Sequence, residues 1–75
     1  MVNKDSKFAL WLRVRMAEMS ISVTELADQC GVNIATVSHW RTGRRDPSER
    51  QRRLLAVNLG TTEAVLKRKI QRLES

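Results

Sequence analysis

Two helix starts and one helix stop crowd the stretch from Ser22 to Trp40, and their spacing limits the architecture of this chain more than any other feature. Ser22 followed by Glu25 reads as a capping box, in which the hydroxyl accepts from the amide near Glu25 while the carboxylate reaches back to the amide of Ser22. A helix therefore begins at Val23. It stops at Gly31, because a residue without Cβ enters the left-handed conformation that ends a helix without a clash. Asn33 caps a second helix, on which Val37 and Trp40 lie three apart and face inward together. Helices joined by so tight a turn cross steeply, which calls for a small residue at the crossing, glycine in the turn and a branched apolar residue on the second helix. Ala27, Gly31 and Val37 supply these, with Leu26, Val32 and Trp40 completing the contact. The outer face of the second helix is left bare.

Helical signals continue on both sides. From Ser6 to Met19 the residues Phe8, Leu12, Met16 and Met19 fall on one face at helical spacing. Leu10, Trp11 and Val14 lie off that face, so this helix carries apolar surface that can meet a partner. The helix through Trp40 ends near Thr42 and Gly43, and Gly43-Arg44-Arg45 forms a basic loop. Asp46 then reads as a capping acid, with Pro47 at the first helical position and Glu49 three beyond the cap. The helix that follows runs to about Leu59, and Gly60 ends it. Thr61 or Thr62 caps a last segment with Leu66, Ile70 and Leu73 on one stripe. Only three Gly and one Pro interrupt a chain rich in helix formers. The expectation is an all-α, compact five-helix fold in a single domain spanning 1–75, with a flexible N-terminus at 1–5 and a C-terminal helix at 62–75.

Composition narrows the function. One Cys and one His form neither a disulfide nor a zinc site, so no metal or other cofactor is implied. The longest apolar run, Phe8 to Leu12, is too short to span a bilayer and is followed by Arg13 and Arg15. No membrane partner is expected, and the lone Cys fits a reducing, cytoplasmic setting. The single His has no paired nucleophile and the acids sit mainly at caps, which points away from an enzyme. The net charge is +6, with the cations concentrated from Arg41 onward. Clustered cations gain free energy by releasing counterions from a phosphate backbone, although the same charge also keeps a small protein soluble.

The run VTELADQCGVNIATVSHWRTGRRDPS closely resembles the lambda-repressor and Cro-like helix-turn-helix family, often called the XRE family. Ser22, Leu26, Ala27, Gly31, Val32, Val37, Trp40, Gly43, Arg44 and Pro47 match its pattern in register, and Leu55, Ala56, Leu59 and Gly60 continue it, so the resemblance covers roughly residues 12 to 66. It implies a lambda-repressor-like DNA-binding domain whose helix-turn-helix, at 22–42, is formed by helices 2 and 3. It also implies a transcriptional regulator, most simply a phage- or plasmid-type repressor on a two-fold symmetric operator, acting as a homodimer in a bacterial host. Three departures stand out. Val23 replaces a Gln that commonly touches the DNA backbone, Glu49 and Arg52 replace apolar residues of the fourth helix, and Arg15 or Met16 alters the first.

By the same resemblance, helix 3 enters the major groove of double-stranded DNA, and Asn33, Ile34, Ala35, Thr36, Ser38 and His39 face the bases. Ile34 and Ala35 can read only thymine methyls or exclude bases by shape, which leaves much of the polar readout to Ser38 and His39. His39 is the favoured hydrogen-bonded base contact; the plain alternative is an exposed histidine without a role. Ser22, Thr24, Thr42, Arg44 and Arg45 are the phosphate candidates. Arg41, Arg50, Arg52 and Arg53 are either further contacts or a solvated face. Cys30 is expected to be a buried structural thiol rather than a redox sensor. The stripe Leu66, Ile70 and Leu73 either pairs with a second chain, the favoured reading, or folds back on the first helix. The competing functional class is an antitoxin-like or adaptor protein with a protein partner and DNA binding for autoregulation. A basic peptide acting on membranes or RNA is disfavoured by the ordered caps and turns.

Overall fold

The computed structural model describes residues 6–70, which form α1 (Lys7–Met19), α2 (Val23–Cys30), α3 (Ile34–Thr42), α4 (Glu49–Asn58) and α5 (Glu63–Ile70). The expected flexible segment at 1–5 and Leu73 lie outside the described residues. Each helix starts where a side-chain oxygen takes up an orphan amide. Ser6 Oγ accepts from the Ala9 amide at 3.2 Å, Asn33 Oδ1 from Ala35 at 2.9 Å, and Thr62 Oγ1 from Val65 at 3.2 Å. The capping box of α2 is complete: the Glu25 amide donates to Ser22 Oγ at 3.1 Å and the Ser22 amide to Glu25 Oε1 at 2.9 Å. At its other end Gly31 takes φ 66°, and the Val32 amide folds back onto the Ala27 carbonyl at 2.9 Å.

The fourth helix begins later than Asp46 and Pro47 suggest. Ser48 is its cap, and Ser48 and Gln51 form a second capping box, with amide-to-side-chain distances of 2.8 and 3.3 Å. Pro47 is buried ahead of the helix rather than opening it. The residues before it carry the chain away from α3, whose His39 carbonyl accepts from the amides of both Arg44 and Arg45. The first helix also differs from expectation at one position. Met19 is 41% exposed, and Ala9 joins Phe8, Leu12 and Met16 on the buried face instead.

The packing is a closed ring. Among the described residues α1 contacts α3 and α5, α3 also contacts α2, α2 also contacts α4, and α4 also contacts α5. One core fills the ring, built from Phe8, Leu12 and Met16 of α1, Leu26, Ala27 and Cys30 of α2, Val37 and Trp40 of α3, Leu55 and Ala56 of α4 with Leu59 just beyond it, and Leu66 of α5. The Cα radius of gyration is 11.3 Å, close to the roughly 11 Å of a chain this long folded as one body. Leu66 is wholly buried and Ile70 packs against the same core. For these two residues the stripe folds back inside the chain. Leu66 is therefore not an available pairing contact, because its side chain is already enclosed by its own helices. The apolar surface that remains open includes Leu10 and Val14 of α1 and Val57 of α4.

Candidate nucleic-acid interface

The inner face of α3 explains its outer one. Val37 and Trp40 are wholly buried, and they seat the helix on α2 and on α1. A nine-residue helix anchored through these positions turns its first residues outward, and Asn33, Ile34 and Ala35 are exposed. Thr36, Ser38 and His39 are partly exposed. The six expected base-reading residues thus share one helix and its cap, with the apolar Ile34 (49% exposed) at its open end. Asn33 Oδ1 is engaged as the cap, which leaves its amide group as the donor available to a base edge.

The phosphate candidates divide by what their groups already do. Arg44 and Arg45 are exposed in the loop after α3, where their backbone amides are tied to the His39 carbonyl at 2.9 and 3.3 Å. That tie holds the loop against the end of α3 and leaves both side chains exposed. Ser22 accepts from Glu25 yet keeps its hydroxyl proton, and Thr24 lies beside it on the exposed side of α2. The capping box occupies the Ser22 amide, so that amide is not open to an anion. Thr42 is different. Its one hydroxyl proton is directed at the Ser38 and His39 carbonyls at 3.2 and 3.3 Å, so as placed it has none to offer a phosphate.

Other cations serve the fold. Arg53 lies 3.7 Å from Glu49 and 3.6 Å from Glu63, linking α4 to α5, and Arg52 donates to the Pro47 carbonyl. Arg15 Nε donates to the Leu59 carbonyl at 2.8 Å, and Arg13 Nη1 donates to the Arg41 carbonyl. The sequence reading missed both of these ties, whose partners are distant in the chain. Cys30 is buried in the core, and burial pushes its thiol up from the ordinary 9.0. This fits a structural thiol, since a raised pKa withholds the reactive thiolate. Trp40 Nε1 is buried without a hydrogen-bond partner among the described residues. Those residues contain no group of three His, Cys, Asp or Glu placed to hold a metal ion, and no helix long and apolar enough to cross a membrane.

A helix-turn-helix family model matches residues 12–66, from the middle of α1 into α5. The chain belongs to the lambda-repressor/Cro-like, XRE-type helix-turn-helix family. Its helix-turn-helix is α2 and α3, and the family is one of DNA-binding transcriptional regulators. No curated protein and no solved structure gives a significant match.

Proposed function

We propose that this helix-turn-helix protein is a repressor that binds a two-fold symmetric operator as a homodimer, with α3 in the major groove. The observation that carries the reading is the outward face of α3, with Ile34 and Ala35 at its open end, Ser38 and His39 further along, and Arg44 and Arg45 just beyond. A major groove about 12 Å wide admits an α-helix, and each base pair shows a distinct pattern there. Asn33, Thr36, Ser38 and His39 supply hydrogen-bonding groups, while Ile34 and Ala35 meet thymine methyls. Ser22, Thr24, Arg44 and Arg45 hold the sugar-phosphate backbone, with Thr42 contributing only after its hydroxyl turns. The protein acts by binding and not as an enzyme. A single module touches few base pairs, so two copies on two half-sites raise affinity through effective concentration.

Selection from random duplex DNA by the wild-type protein tests this. The expected product is a symmetric motif whose enrichment is lost on His39→Ala or Ala35→Glu while the domain stays folded. Unchanged preference in both variants overturns the assignment of α3. Arg44→Ala should weaken all sequences alike and reduce the slope of log affinity against log salt by about one. The alternative function, an antitoxin-like or adaptor protein with a protein partner, is supported by the exposed Leu10 and Val14. Failure to enrich any motif would favour it.

A further inference from the structure

We infer that Arg13 is a positioning residue for sequence readout: from α1 it fixes the last turn of α3, and thereby the angle at which the reading face is presented. This rests on the assignment of α3 as the reading helix. The last carbonyls of a helix lack partners within it, and here two of them are taken locally. His39 O accepts from the Arg44 and Arg45 amides and from Thr42 Oγ1, and Trp40 O accepts from the Gly43 amide. Arg41 O is reached instead from another helix, by the Arg13 guanidinium. A cation at a helix C-terminus is also favoured by the helix dipole.

The geometry makes this tie directional. Ala27, Val37 and Trp40 seat α3 against α2 and α1 through apolar packing, which is non-directional, whereas a hydrogen bond sets a direction as well as a distance. Arg13 holds the far end, close to Ser38 and His39. Base contacts demand placement within a fraction of an ångström, whereas phosphate contacts from flexible arginines tolerate more. Arg15 provides an internal comparison, because it makes the same kind of bond from the same helix to Leu59, the residue that caps the end of α4, where no candidate base-reading residue lies.

The test measures affinity for a duplex selected by the wild-type protein and for a scrambled duplex of equal length, across salt, together with thermal unfolding. Arg13→Met should lower the ratio of the two affinities by at least about fivefold, the scale of one impaired base contact, with the salt slope unchanged. Arg13→Lys, which keeps a donor, should restore much of the ratio. Arg15→Met should lower the unfolding temperature and leave the ratio as in wild type. An unchanged ratio in Arg13→Met overturns the proposal, as does equal weakening of both duplexes with a slope shallower by about one, which would make Arg13 a phosphate contact. A wild-type protein that selects no sequence overturns the assignment of α3 and this proposal with it. A selecting wild type with an equally selective Arg13→Met overturns this proposal alone.

Discussion

Ser20 sits where α1 ends, at φ 54° and ψ 38°, and its amide closes the turn onto the Ala17 carbonyl. Glycine normally fills such a position, because a Cβ in the left-handed region crowds the following carbonyl. Ser20→Gly should therefore stabilise the domain by about 1 kcal/mol despite the extra freedom it gives the unfolded chain, read as a higher urea midpoint at constant m. A lower midpoint would show that the serine side chain contributes more than its backbone costs. Cys30 gives a second prediction at this scale. Burial raises its pKa in the folded state, so the protonated thiol adds stability that is fully present below pH 9.0 and is lost as pH rises through the folded value. Wild type should lose stability in that alkaline window more steeply than Cys30→Ala, and parallel unfolding curves would refute the link. Ser20 escaped the sequence reading because serine gives no sign of a left-handed cap, whereas Gly31 and Asn33 declare their roles by residue type alone.

For α2, everything that sets its ends lies within the helix or at most two residues beyond it. This is why Ser22, Glu25 and Gly31 could be read correctly from spacing. The start of α4 was misplaced at Asp46 because Asp46 with Glu49 has the spacing of a box, and the box that forms, Ser48 with Gln51, has the same spacing and was not weighed. The path of the loop decides between them, and it depends on the Arg44 and Arg45 amides reaching back to His39. Ser48→Ala should cost about 1 kcal/mol of stability, as losing an N-cap does, measured by chemical denaturation. A negligible loss would return the start of the helix to Asp46. The ties of Arg13 and Arg15 were invisible for a different reason, since their acceptors are backbone carbonyls separated from them by 28 and 44 positions. No residue type marks such an acceptor. The candidate base-reading residues could be grouped from the sequence because they share one helix and its cap, but the engagement of Thr42 by its own helix appears only in three dimensions.

The helical pattern placed Leu66 and Ile70 on one stripe correctly and left open what covers them. Packing answers that for Leu66, which lies within the chain's own core. Leu66→Ala should cost about 2–5 kcal/mol, by the same amount at low and high protein concentration. A loss that grows on dilution would place the residue between subunits instead. The two cover different roles in the same ring of helices: α2 and α3 meet through neighbouring sequence, whereas α5 closes onto α1 from the far side of the described chain. That closure has a consequence for biosynthesis. While the ribosome still holds α5, the helix-turn-helix has already emerged, yet α1 lacks one of its two neighbours and the core lacks Leu66. The nascent chain therefore presents α2 and α3 before α5 can close the core, and α5 is the element that locks α1 in place.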